Sequence, residues 1–64
     1  MEKIIFKIQD VLCVVVFNGL IYSAYLVTKE GNREYLQHWY TQPDEAVDEA
    51  TKKAKSIMEA MYAN

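Results

Sequence analysis

Apolar residues fill two stretches of the first 40 positions, where they occupy consecutive rather than alternate positions. Residues 11–17 are all apolar, and residues 20–27 are apolar apart from Ser23. Asn18-Gly19 lies between the two stretches, and this dipeptide is typical of a tight β-hairpin because both central turn positions need positive φ. The pattern therefore predicts two strands that are apolar on both faces and joined by a hairpin.

A two-residue turn at Asn18-Gly19 fixes which strand residues share a face, because paired residues lie on the same side. The predicted core face then contains Val11, Cys13, Val15, Phe17, Leu20, Tyr22, Ala24 and Leu26.

The segment 29–32 provides the next turn and sets Thr28 opposite Arg33. In this register Tyr35, Gln37 and Trp39 join the core face, whereas Glu34, Leu36, His38 and Tyr40 lie outside. A one-residue slip would exchange these two sets.

The first ten residues contain a further strand. Ile4, Phe6 and Ile8 occupy alternate positions, which is the period of a half-buried strand. If Gln9-Asp10 is a tight turn, the sheet has four strands; if it is a bulge, one long bent strand leaves three. We favour four strands.

Residues 43–63 have the features of an amphipathic helix. Thr41 can serve as the N-cap, Pro43 lies in the first turn, and acidic residues precede basic ones along the segment. An apolar stripe of Val47, Ala50, Ala54, Ile57 or Met58, and Met61 recurs at steps of three and four. The predicted fold is α+β: one domain over residues 1–64, with an antiparallel β-meander of three or four strands and one C-terminal helix on one face.

One helix can cover only one side of this sheet, and the other side is also apolar. Large apolar patches are rare on monomeric proteins and mark interaction sites. We therefore expect a non-enzymatic protein-binding regulator or inhibitor that acts by occlusion, for example a phage-encoded inhibitor of a host or defence factor, or a homodimer. The predicted partner-binding residues are Leu12, Val14, Val16, Ile21, Tyr25, Val27, Leu36, His38 and Tyr40.

Composition excludes several kinds of chemistry. The chain has 64 residues, a formal charge of −2, one cysteine (Cys13) and one histidine (His38). These residues cannot supply the three or four ligands of a zinc site, and no catalytic triad or glycine-rich phosphate loop is present. We predict no catalytic residue, cofactor or metal.

The cysteine count and the N-terminal sequence also predict the cellular compartment. A lone cysteine and the lack of a secretory signal after Met1 predict an intracellular, cytoplasmic protein. A transmembrane helix over residues 11–27 is the alternative to the hairpin. That stretch reaches only the lower length limit for spanning and has Asn18-Gly19 at its centre, so we expect no membrane partner.

The alternative function is a sheet that binds nucleic acid, with tyrosines stacking on bases and Lys3, Lys7, Lys29 and Arg33 reaching phosphates. The strand-to-helix junction at residues 41–46 resembles that of many small modules. Among them are DNA-binding domains whose three-stranded sheet lies on the DNA, and several small viral inhibitors. The chain lacks the basic sheet that such DNA binding implies, so no residue role is transferred.

Overall fold

The computed structural model describes residues 2–62, which form one four-stranded antiparallel sheet followed by one helix. This confirms the predicted α+β fold. The strands are adjacent in chain order, so the sheet is a simple meander. The elements are β1 (Glu2–Ile8), β2 (Val11–Phe17), β3 (Tyr22–Val27), β4 (Arg33–Tyr35) and α1 (Pro43–Tyr62).

The connection between β1 and β2 is a tight turn, as favoured from the sequence. Ile8 pairs with Val11, which leaves Gln9 and Asp10 as the two turn residues. Gln9 has a φ of 53°, in the left-handed region that residues with a Cβ rarely adopt. The turn therefore forms at some conformational cost, and the remaining pairing of β1 with β2 holds it in place.

The connection between β2 and β3 is longer than predicted. Phe17 pairs with Tyr22, so residues 18–21 form the loop. The Asn18 side-chain oxygen accepts hydrogen bonds from the backbone N–H groups of Leu20 and Ile21, both at 2.9 Å. This shifts the register by two residues, which keeps the side chains of β2 and β3 on their predicted faces. Leu20 and Ile21 were predicted in the strand but lie in the loop, where Leu20 is 85% exposed rather than in the core.

The pairing of β3 with β4 differs from the prediction by one residue. Val27, rather than Thr28, lies opposite Arg33, because the Thr28 N–H donates to the Asn32 carbonyl and extends the turn. The two predicted faces of this segment are therefore exchanged. Glu34 lies on the helix side, where its carboxylate is 3.5 Å from the Lys53 ammonium, and Tyr35 lies on the opposite side.

A bulge follows β4. The Leu36 N–H donates to the Ala24 carbonyl at 3.0 Å, and Tyr40 exchanges two hydrogen bonds with Tyr22 at 2.7 and 2.9 Å. One residue separates Ala24 from Tyr22, but three separate Leu36 from Tyr40, so the outer strand carries two extra residues. Bulges of this kind re-aim side chains at sheet edges.

The slip and the bulge together correct four further predictions. Leu36 and Tyr40 were expected outside, but both pack in the core, and Tyr40 is only 8% exposed. Gln37 and Trp39 were expected in the core, but both lie exposed in the bulge, Trp39 by 75%.

The core lies between α1 and the sheet. Pro43 begins the helix, and Asp44 and Glu45 lie in its first turn, where the helix dipole favours negative charge. The side of α1 that faces the sheet carries three fully buried alanines at intervals of four, Ala46, Ala50 and Ala54. Their small side chains allow the helix to lie close to the strands. It packs mainly on β2 and β3 and reaches β1 less.

Replacing Gln9 with glycine is expected to raise the free energy of unfolding by about 0.5–1 kcal/mol. Glycine has no Cβ to oppose a positive φ, and this gain exceeds the extra entropy of the unfolded chain. Urea unfolding followed by circular dichroism measures the change. Gln9→Ala retains the Cβ and should show no such gain; equal stabilisation by both variants would contradict the strained turn.

Alanine substitutions at two adjacent aromatic residues test the bulge. Tyr40→Ala is expected to lower the free energy of unfolding by about 3 kcal/mol or more, because it empties a buried aromatic site. Trp39→Ala should change it by less than about 0.5 kcal/mol, as expected for an exposed side chain. A large cost at Trp39 and a small one at Tyr40 would restore the register predicted from the sequence.

Candidate protein-binding surface

The side of the sheet opposite α1, which we call the open face, has no helix on it within the described residues. Side chains alternate between the two sides of a strand. Since Cys13, Val15 and Leu26 pack against the helix, the remaining positions lie on the open face. The strand register arranges them in three rows. From β1 outward the rows are Lys3, Val16 and Ser23; Ile5, Val14, Tyr25 and Tyr35; and Lys7, Leu12, Val27 and Arg33.

The middle row is continuously apolar or aromatic across all four strands. Val14 is only 4% exposed, yet it is not part of the core cluster beneath the helix. Its cover therefore comes from neighbouring side chains of the open face. The two ends of the row are much more accessible, with Ile5 60% and Tyr35 63% exposed. Water consequently reaches this row mainly at its two ends, on the outer strands.

Two tyrosines and one arginine form a cluster at the β3–β4 end of the open face. The ring centroids of Tyr25 and Tyr35 are 5.4 Å apart with the planes tilted by 40°. The Arg33 guanidinium carbon lies 5.2 Å from the Tyr25 ring centroid, within cation–π range. A hydrogen bond with Tyr35, followed by the charge effects of Tyr25 and Tyr35, raises the pKa of Arg33. These contacts pack the three flat side chains against one another on the open face.

Acidic residues are absent from the rows of the open face, whereas basic residues occur on both sides of the protein. Lys52, Lys53 and Lys55 lie on α1, and Lys29 lies in a turn. The open face carries Lys3, Lys7 and Arg33, and none of its positions in the three rows is acidic. The acidic residues lie on α1, on the helix side of the sheet or in turns. They are Glu2, Asp10, Glu30, Glu34, Asp44, Glu45, Asp48, Glu49 and Glu59. A chain with a net negative charge therefore presents a basic, apolar face.

The predicted partner-binding residues separate into three groups. Leu12, Val14, Val16, Tyr25 and Val27 lie on the open face together. Ile21 is half-buried in the β2–β3 loop, and His38 is exposed in the bulge. Leu36 and Tyr40 lie on the other side of the sheet, in the core.

The sequence reasoning missed open-face residues contributed by the two outer strands. The alternation of β1 was recognised, but its side-chain positions were not matched to those of β2. The predicted β3–β4 register places Tyr35 in the core, whereas the observed register places it on the open face. Pairing each strand with the next would have revealed the row structure and its basic ends. The residues absent from the partner-binding prediction are Lys3, Ile5, Lys7, Arg33 and Tyr35, of which Lys3, Lys7 and Arg33 are predicted only as phosphate contacts in the nucleic-acid alternative.

The single cysteine and the single histidine of the chain lie in different surroundings, Cys13 in the core and His38 exposed in the bulge. Cys13 is fully buried, and burial raises the pKa of its thiol, which disfavours the reactive thiolate. Among residues 2–62 no three His, Cys, Asp or Glu side chains are grouped so that they could hold a metal ion. A cavity of about 390 Å³ is lined by Glu2, Phe17, Asn18 and Gly19, of which only Glu2 has a titratable side chain.

Over the described range, residues 2–62, no helix is both long and apolar enough to cross a membrane.

The chain was compared with protein-family models, with curated proteins and with solved structures. None of the three comparisons finds a match. The candidate surface is therefore argued from its own geometry and charge.

Proposed function

We propose that this chain is a small non-enzymatic protein-binding regulator or inhibitor that acts by covering part of a partner with its open face. The observation that carries the proposal is the row Ile5, Val14, Tyr25 and Tyr35, which is apolar or aromatic across the whole sheet and lies on the side away from α1. Tyrosine buries a large area at low entropic cost and is enriched at binding hot spots.

The size of the open face is consistent with a binding site. Strands of seven, seven, six and three residues, about 4.8 Å apart with a rise of about 3.3 Å per residue, cover roughly 360 Å². Part of this area is polar, because Lys3, Lys7, Ser23 and Arg33 lie on the same face. Apolar patches of about 300–600 Å² are the largest that typical monomers expose, and they are often functional. A stable interface buries about 800 Å² on each partner, however. The open face alone therefore supports a modest affinity, which further contacts around its margin would increase.

The charges on the open face determine what kind of partner fits. Lys3, Lys7 and Arg33 lie at the ends of the rows, around an apolar centre. A partner with an apolar patch and carboxylates at matching positions would pair with all three. A second copy docked face to face would instead bring like charges together, which opposes association. We therefore favour a foreign acidic partner over a homodimer. The buried thiol of Cys13 is compatible with the reducing cytoplasm, where we place the protein.

Replacing Tyr35 with aspartate tests the open face directly. The side chain is 63% exposed, so the variant should fold, but it places a negative charge where an acidic partner would dock. Immobilised wild-type protein should retain a partner from cytoplasmic extract, and Tyr35→Asp should retain at least tenfold less.

Ser56→Asp provides the matched control, because it adds the same charge at an exposed position on α1. This variant should retain the partner as the wild type does. Equal retention by Tyr35→Asp and Ser56→Asp, or no specific retention by the wild type, would contradict the proposal. Circular dichroism of all three proteins confirms that each is folded.

Nucleic acid is the second candidate, because Tyr25, Tyr35 and Arg33 combine aromatic rings with positive charge on the same face as Lys3 and Lys7. Against it, five of the eleven open-face positions are aliphatic and offer no ring for base stacking. The Arg33 guanidinium also already lies over one face of the Tyr25 ring. These features favour a protein partner.

Salt dependence separates the two candidates. Three phosphate contacts to a single strand predict that affinity falls about 20-fold between about 50 and 200 mM salt, through counterion release. Fluorescence anisotropy of a labelled single-stranded oligonucleotide measures this change. Absence of binding at about 50 mM salt would reject the nucleic-acid candidate and leave the protein-binding proposal unaffected.

A further inference from the structure

The outer edge of β1 is the longest unpaired backbone edge in the sheet. β1 spans seven residues and contains neither proline nor a bulge, and within residues 2–62 it has a neighbour on one side only. The other outer strand, β4, spans three residues and is followed by the bulge at residues 37–39. A long regular edge can accept another strand, whereas a short interrupted edge cannot. The β1 edge is therefore the one suited to strand addition.

Hydrogen bonding elsewhere in the sheet shows which groups of β1 are free. Along an antiparallel strand, bonded residues alternate between the neighbours on its two sides. Tyr22 exchanges both of its bonds with Tyr40, and the Ala24 carbonyl accepts from Leu36, so even-numbered residues of β3 bond towards β4. The odd-numbered residues of β3 therefore bond to β2, at positions 12, 14 and 16.

The same alternation continues across β2. Its positions 11, 13, 15 and 17 are left to bond with β1, and their partners are positions 8, 6, 4 and 2. The backbone N–H and C=O groups of Lys3, Ile5 and Lys7 consequently point away from the sheet. The side chains of these three residues also lie on the open face, so their free backbone groups and side chains form one continuous margin.

The side chains of this margin specify what strand would pair with it. Ile5 is 60% exposed between two lysines, and Ile4 on the helix side is 40% exposed because α1 covers mainly β2 and β3. If β1 of a second copy paired antiparallel with this edge, with Ile5 opposite Ile5, then Lys3 of each copy would lie directly opposite Lys7 of the other. Like charges directly opposite each other destabilise strand pairs. This charge pattern disfavours self-pairing and favours a strand with the opposite charges.

We infer that the free edge of β1 binds an extended acidic segment of a partner protein by antiparallel strand addition. In the segment, an apolar residue pairs with Ile5, and carboxylates two residues to either side pair with Lys3 and Lys7. The backbone of the segment bonds to the free groups of residues 3, 5 and 7, and an apolar side chain beside the central residue covers Ile4. Strand addition at this edge would add contact area beside the open face. It would occur whether or not the open face itself is the primary docking site.

A synthetic peptide serves as the probe. Fluorescein-labelled Thr-Glu-Val-Val-Val-Glu-Thr presents two carboxylates and a central valine at the required spacing. Fluorescence anisotropy should show at least tenfold tighter binding of this peptide than of the matched peptide with lysine in place of both glutamates. The double variant Lys3→Glu/Lys7→Glu should reverse the preference between the two peptides. Equal binding of both peptides by the wild type, or an unchanged preference in the variant, would overturn the inference.

Hydrogen exchange distinguishes strand addition from loose electrostatic binding. In the free protein the amides of Lys3, Ile5 and Lys7 should exchange faster than those of Ile4, Phe6 and Ile8. Addition of the acidic peptide should slow exchange at positions 3, 5 and 7 at least tenfold. Binding without this protection would show that the peptide contacts the lysines alone and would also overturn the inference.

Two substitutions separate the β1 edge from the open face. Ile5→Pro removes an N–H that points away from the sheet, where an edge strand can accept proline, and should weaken peptide binding at least tenfold. Tyr35→Asp, on the opposite outer strand, should leave peptide binding within twofold of the wild type. The reverse pattern would locate the peptide on the open face and exclude strand addition at β1. Failure of the peptide tests would leave the open-face proposal standing.

Discussion

The close approach of α1 to one side of the sheet determines the rest of this structure. Ala46, Ala50 and Ala54 end at Cβ, so the helix lies directly over β2 and β3. The fully buried side chains Val11, Cys13, Val15 and Leu26 are on the strands it covers. A single helix cannot reach both sides of a sheet. The apolar residues on the other side therefore depend on one another, or on a partner, for cover.

The distribution of charge follows the same division. The acidic residues are on α1, on the helix side and in turns, and the open face carries only basic side chains at the ends of its rows. Lys3 and Lys7 protect β1 against pairing with another copy, since like charges would be opposed. The same lysines favour an acidic partner. The two proposed contacts therefore share one chemical preference, although one uses side chains of the open face and the other uses backbone groups of the β1 edge.

The fold could be predicted from the sequence largely because the error in the predicted β2–β3 pairing left each strand side chain on its predicted side of the sheet. The β2–β3 loop is two residues longer than predicted, and a shift by two returns each strand side chain to its own side. The β3–β4 pairing differs from the prediction by one residue. Tyr35 therefore lies on the open face instead of in the core, and Glu34 and Leu36 lie on the helix side instead of outside. The sequence offers no signal for that difference, since it depends on the Thr28–Asn32 backbone bond, nor for the bulge that exposes Trp39. The predicted partner-binding residues of β2 and β3 consequently lie together on the open face, whereas the open-face residues of both outer strands are absent from that prediction.

The central claim is that the open face is available to a foreign partner and is not used by a second copy of the chain. The absolute molar mass in solution, from light scattering behind a sizing column over a range of micromolar concentrations, tests it most directly. The account predicts the mass of one chain, 7.4 kDa, at every concentration. A stable mass of twice that value would contradict it, because the apolar face would then be covered by the protein itself.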